Sequence, residues 1–383
     1  MADYSGAINS STYSGKEFKV YIGADGDADY DPGVGTINAS TNGGSMYRLD
    51  IEGITLPTFT PNQEFEMRSG SGRVAEFGQM FSSSKGVVTE FTLSGRATMQ
   101  ELPILMENVF TQAATTNNNL FEIASGYAPT HFKHDDATGA TVFNKSLTVF
   151  FQAPTAADSY SLPGCVCTNL QLSADMGTAS GRYDYTATFK TGYTPTKGTD
   201  SMTGANELSS ALGSTNIFLS EQSTKDMNVM EYDSSGTDAT SINPVFNSFS
   251  LTIDAPTVFL GAQGTNAEPE VYARAVPELS ITIAGSLKYD TETDKLLEAH
   301  RDPAQTSYMQ LILNNRAVTS NLETLGSVAI AAHASQLFGI IVPKAKLISA
   351  SVGSGDVATL DFEAKVVDPG SNKIIHIATG ATA

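Results

Sequence analysis

Apolar and polar residues alternate along much of this chain with a period of two. The runs are Phe18, Val20, Ile22; Tyr47, Leu49, Ile51; Phe91, Leu93; Tyr183, Tyr185, Ala187, Phe189; Phe249, Leu251, Ile253; Leu279, Ile281, Ile283; and Leu360, Phe362, Ala364, Val366. Side chains alternate across a strand, so each run predicts a half-buried strand. Helical periodicity is scarce. Met99 to Phe110 follows Thr98 with Glu101 three residues on, and Thr291 to His300 opens on Thr291 with Asp294 at the same offset. Both starts resemble a capping box. Pro103 fits the first helix only in its opening turn, where a missing N–H costs nothing.

The second half of the chain repeats the first in order. Phe18-Lys19-Val20 lies on Ile217-Phe218-Leu219, Tyr47 to Ile51 on Phe249 to Ile253, and Phe91 to Gly95 on Ile281 to Gly285. Ile104-Leu105 then meets Leu296-Leu297, and Leu162-Pro163 meets Val342-Pro343. Leu170 and Leu172 meet Ala350 and Val352, and Tyr183 to Ala187 meets Leu360 to Ala364. Each half reads strand, strand, strand, helix, strand, strand, strand, a period far too long for a solenoid. The expected domains are 1–193 and 215–383, with the Gly/Ser/Thr-rich stretch 194–214 as linker. The first half carries a long arm at 57–86, with Ser69-Gly70-Ser71-Gly72-Arg73 at its expected hairpin tip, whose counterpart Ala255 to Val276 is shorter, and an extra loop at 111–145. Insertions mark variable surface, so both are expected contact regions.

Composition narrows the function. The chain has 383 residues, 41 acidic and 22 basic side chains, a net charge of −19, two cysteines and no tryptophan. Phosphate binding runs on clustered Lys and Arg, so this balance argues against a nucleic-acid-binding protein. The start Met1-Ala2-Asp3-Tyr4 lacks the basic and apolar regions of a signal peptide, and synthesis in a reducing cytoplasm is expected. Apolar stretches such as Val328 to Ala332 fall far short of the roughly 20 residues that span a bilayer, so no membrane role is expected.

Candidate chemistry is thin. Asp25, Asp27, Asp29 and Asp31 are spaced like the start of a calcium loop, but Tyr30 stands at the sharp-turn glycine and Thr36 at the bidentate Glu. A solvated acidic turn is the favoured reading. His131, His134, Asp135 and Asp136 could close a zinc site, yet their Asn- and Thr-rich surroundings favour an exposed loop. Cys165 and Cys167, two apart on one strand, suit buried thiols better than a strained disulfide. No nucleophile elbow, Walker loop or dinucleotide fingerprint is present. No enzyme activity, metal or cofactor is expected.

An N-terminal strand ending in Tyr21-Ile22-Gly23, a strand at Met46 to Ile51, a long arm ending in Val87 to Gly95, one helix and a closing strand pair together resemble the tail tube proteins of long-tailed bacteriophages. The duplication is similar to the subset whose single chain carries two tube domains. The resemblance implies a mainly β fold of two tandem β-sandwich domains, each flanked by a short α-helix. Six domains, and so three chains, would close a pseudo-hexameric ring around a β-barrel, and rings would stack into a tube in the virion tail. Its partners would be further copies of itself and other tail proteins, with DNA passing through the lumen unbound. Uncovered strand edges give that expectation a physical basis, since closure removes them. Asp50, Glu52, Glu90, Asp184, Asp361 and Glu363 alternate with core positions, and the expected ring places several of them in the lumen; a solvated outer face is the competing placement. Glu64, Phe65, Met67, Arg73, Phe77, Met80 and Phe81 are the expected contacts of the arm with a neighbouring subunit. A self-assembling β-rich surface or fibre protein and a capsid decoration protein are the alternatives.

Overall fold

The computed structural model describes residues 17–24, 46–49, 51–57, 62–65, 80–83, 88–98, 101–111, 120–127, 146–176, 182–193, 195–198, 224–230, 239–242, 244–260, 271–274, 279–301, 308–314, 339–370 and 373–378. These residues are mainly β. In the first half they form β1 (Lys19–Ala24), β2 (Met46–Leu49), β3 (Ile51–Ile54), β4 (Asn62–Phe65), β5 (Met80–Ser83), β6 (Thr89–Arg96), α1 (Glu101–Phe110), β7 (Leu120–Ala124), β8 (Leu147–Gln152), β9 (Ser159–Asp175), β10 (Tyr183–Thr191) and β11 (Thr196–Gly198). The second half supplies β12 (Thr224–Met230), β13 (Ala239–Ile242), β14 (Phe246–Asp254), β15 (Thr257–Leu260), β16 (Val271–Arg274), β17 (Ser280–Lys288), α2 (Asp294–Arg301), β18 (Tyr308–Asn314), β19 (Gly339–Ser354), β20 (Ala358–Val366) and β21 (Lys373–Ala378).

Seventeen strands join in one antiparallel sheet. Its central run is β3-β6-β10-β9-β14-β17-β20-β19, with four strands from each half meeting at β9 and β14. The long strands β9 and β19 also leave this run at their N-terminal ends. There β9 joins the ladder β2-β1-β8-β9-β11, and β19 joins β13-β12-β18-β19-β21. Each crossing is marked by a bulge. Leu147 faces Cys165 while Val149 faces Leu162, and Met309 faces Ala345 while Leu311 faces Val342, so Pro163 and Pro343 fall at matching irregularities. A proline has no N–H for a ladder and is tolerated at bulges. Gly164, at φ 62°, supplies the left-handed residue that the first bulge uses.

The buried apolar residues of the central run, the flanking ladders and the helices form one core. Phe91 of β6 stacks on Phe189 of β10 at 5.4 Å and meets Phe151 of β8 edge-on at 5.6 Å. Helix α1 buries Leu102, Leu105, Met106, Val109 and Phe110. Its Asn108 Oδ1 accepts the Cys167 N–H at 2.7 Å, filling a ladder position on β9. One half of the expected capping box opens this helix, the Glu101 N–H donating to Thr98 Oγ1 at 3.2 Å, while the Glu101 carboxylate accepts the Thr98 hydroxyl at 3.1 Å instead of its backbone N–H. In the second helix the cap is Asp290 rather than Thr291. Its Oδ1 accepts the Thr293 N–H at 3.0 Å, and its own N–H donates to Thr293 Oγ1 at 2.8 Å. The Thr293 N–H foremost, with the Glu292 N–H and the Thr293 hydroxyl, holds the Asp290 carboxyl below its ordinary range.

Three sequence matches shift. Met46 to Ile51 is two strands, because β2 pairs with β1 while β3 pairs with β6. Ile51 lies opposite Gly95 and Phe249 opposite Gly285, so Phe249 corresponds to Ile51 rather than to Tyr47. Leu172 faces Tyr185 and Ala350 faces Phe362, which makes these two residues equivalent and leaves β9 two residues longer than β19 between bulge and sheet. The place of β1 is taken by β12, flanked by β13 and β18 as β1 is by β2 and β8; residues 217–219 lie outside the described residues. Among the described residues no helix is long and apolar enough to cross a membrane.

Candidate functional site

Six strands of the central run, β10, β9, β14, β17, β20 and β19, line a shallow concavity of about 550 Å³ that spans the junction of the halves, on the sheet face opposite the core. The alternation dictates its lining. On β9, Leu170, Leu172 and Ala174 are buried, so Ser173 and Asp175 face outward; on β20, Leu360, Phe362 and Ala364 are buried, so Asp361 and Glu363 do. One row crosses seven strands in register: Arg96, Asp184, Ser173, Ser250, Ala284, Glu363, Ser349. The next reads Asp175, Ser248, Ser286, Asp361, Ser351. Among the described residues, Asp175, Asp184, Asp361 and Glu363 are the charged residues lining the concavity, and no Lys or Arg lines it. Small hydroxyls and spaced carboxylates give a smooth, negative, weakly adhesive wall toward a polyanion.

Asp184, Asp361 and Glu363 are thus brought together on one face. Glu90 points to the same side of β6, but Lys190 Nζ lies 2.9 Å from it, directly across the ladder. Glu52 sits in a bulge of β3 and pairs with Arg96. Asp50 lies outside the described residues. Asp175 was missed by sequence reasoning although Leu170, Leu172 and Ala174 alternate around Gln171, Ser173 and Asp175. Its neighbours are small and uncharged, so the strand signal there is faint.

The arm residues fall only partly within the described structure. Glu64 faces Phe81 and Phe65 faces Met80 in the two-stranded β4–β5 ladder, while Met67, Arg73 and Phe77 lie outside the described residues. The second half carries a similar ladder, β15–β16, at the corresponding place in chain order. The Asp25 to Asp31 run and the His131 to Asp136 cluster also lie outside the described residues. Cys165 and Cys167 are buried thiols rather than a disulfide, each S–H donating to a carbonyl, Leu162 and Asn169 respectively, at 3.3 Å.

A second polar cluster ties the halves together where β21 pairs with β7. His376 is buried there with Nδ1 3.3 Å from Glu122 Oε1, and Lys373 Nζ lies 3.3 Å from the same carboxylate. Burial holds the His376 pKa below its ordinary value despite the opposing pull of Glu122. Nearby, Asp368 accepts from Ser125 Oγ at 2.6 Å, the Gly126 N–H at 2.7 Å and the Gly370 N–H at 2.8 Å. Those donors, the Ser125 hydroxyl foremost, hold its carboxyl low. Compared with known proteins, the chain matches no family model and no curated sequence.

Proposed function

We propose that this chain is the structural subunit of a bacteriophage tail tube, with two tandem β-sandwich domains, three copies to a ring, and rings stacked around a channel for DNA ejection. The observation that carries the reading is the concave face of the central run: both halves contribute to it, and its polar lining is serine and carboxylate, with no base among the described residues. A channel that must release DNA gains from such a wall, since fixed negative charge disfavours phosphate contact. The matching strand orders β3-β6-β10-β9 and β14-β17-β20-β19 support a duplicated assembly unit. This reading gives the protein a scaffolding role, with no catalytic residue, metal or cofactor. Other tail proteins would bind the ends of the tube, in the virion tail.

Negative-stain electron microscopy of the purified full chain at high concentration tests it. Hollow tubes or stacked rings are the expected result. Discrete monomers across a concentration series would overturn it.

A further inference from the structure

The junction between the halves supplies a template for a contact that one chain leaves unmade. Strands β9 and β14 pair antiparallel there, with Ala174 opposite Phe249, Leu172 opposite Leu251 and Leu170 opposite Ile253. All six of these side chains are at most 4% exposed. By the registers each strand keeps with its inner neighbour, β19 stands in the second half where β9 stands in the first, and β3 stands where β14 does. Yet β3 and the C-terminal part of β19 are the two ends of the central run. Among the described residues β3 pairs only with β6, and 346–354 of β19 pairs only with β20.

The apolar residues at these ends are left uncovered. Ile348 is 50% exposed, Val352 42% and Leu56 36%, with Ile51, Ile54 and Ala350 half-buried. Carrying the internal register across sets Val352 opposite Ile51, Ala350 opposite Ile54, and Leu347 opposite Leu56, with Ile348 the extra residue of the β19 bulge next to that pair. Apolar residues then face apolar residues across the two edges, as within the chain. Open edges with unpaired N–H and C=O groups are templates for strand addition, and two different complementary edges join copies head to tail.

We propose that the 347–352 edge of β19 pairs antiparallel with the 51–56 edge of β3 in a second copy, in the register that β9 and β14 use inside one chain. The proposal deepens the tube reading by naming its subunit contact, and rests on that reading only for the number of copies. Chains carrying Val352→Cys are mixed with chains carrying Ile51→Cys under mild oxidation; an off-register mixture pairs Val352→Cys with Leu56→Cys. A disulfide needs Cα atoms within about 7 Å, so the first mixture should yield at least about tenfold more covalent heterodimer than the second. Equal or reversed yields would overturn the register. As a second arm, Ile348→Lys with Val352→Lys should abolish association while far-UV circular dichroism remains that of the parent; undiminished association refutes the contact. Tubes without the in-register cross-link would sink this contact and leave the tube reading standing. The cross-link without tubes would do the reverse.

Discussion

A Cβ built on Gly285 would lie 2.9 Å from the Ser248 carbonyl oxygen and 3.0 Å from Phe362 Cε1. The first is ladder backbone of β14, and the second belongs to a ring packed edge-on against Phe246 at 6.5 Å, so neither neighbour can retreat freely. Gly285→Ala should therefore cost about 1–3 kcal/mol, the range for overpacking a well-filled site. Chemical denaturation of the full chain checks it, and an unchanged midpoint would mean that the sheet yields. Gly53→Ala is the contrast: its Cβ meets the Ser94 hydroxyl, the rotatable end of a side chain, and a smaller loss is expected. The sequence already aligned Gly95 with Gly285. The structure supplies the reason, because each stands opposite an aromatic residue of the neighbouring strand, Tyr185 and Phe362. Glycine beneath a cross-strand ring keeps the ring packed on the backbone.

Strands with large alternating residues were legible because burial on one face imposes the period, as at Tyr183 to Phe189. What stayed hidden was where a continuous pattern changes partner. Tyr47, Leu49 and Ile51 keep one alternation although the chain passes from the β1 ladder to the β6 ladder within it. Sequence period reports which face is buried but not against which sheet. The β7–β21 pairing was likewise invisible, since it joins residues some 250 positions apart through short strands. Its polar cluster predicts an acid response. His376 has a lowered pKa, so its contribution is intact above the ordinary histidine value of about 6.5 and is lost as pH falls from there through the folded value. Asp368 is also lowered, so its contribution is intact above the ordinary aspartate value of about 3.9 and is lost as pH falls through the folded one. Hydrogen exchange at Lys373–Ala378 should accelerate in two stages on acidification. His376→Asn should remove the first stage and Asp368→Asn the second; a single stage unaffected by either change would refute the assignment.

For the whole molecule, the net charge of −19 is a blunt observation, since solubility alone could explain it. The arrangement is more telling. Lys190 and Arg96, the cations on β10 and β6 nearest this face, are each matched by a carboxylate, Glu90 and Glu52, while Asp175, Asp184, Asp361 and Glu363 line the concavity without a Lys or Arg among them. Lys365, two positions on from Glu363 along β20, is an exposed cation of the same face but lies outside the concavity, so the wall should repel DNA because carboxylates rather than bases line its centre. Replacing Asp184, Asp361 and Glu363 with Lys inverts that wall while leaving the core faces of β10 and β20 untouched, so folding and assembly should survive. Alternation permits this, because the three side chains project away from Tyr183, Tyr185, Leu360, Phe362 and Ala364. Assembled wild-type protein should not retain short double-stranded DNA at about 50 mM salt, whereas the triple variant should. Counterion release makes such retention fall steeply with ionic strength, so most of it should vanish by about 200 mM. Retention by the variant only when disassembled would place these residues away from any lumen. Equal behaviour of the two proteins at low salt, with rings intact, would show that this face does not meet DNA.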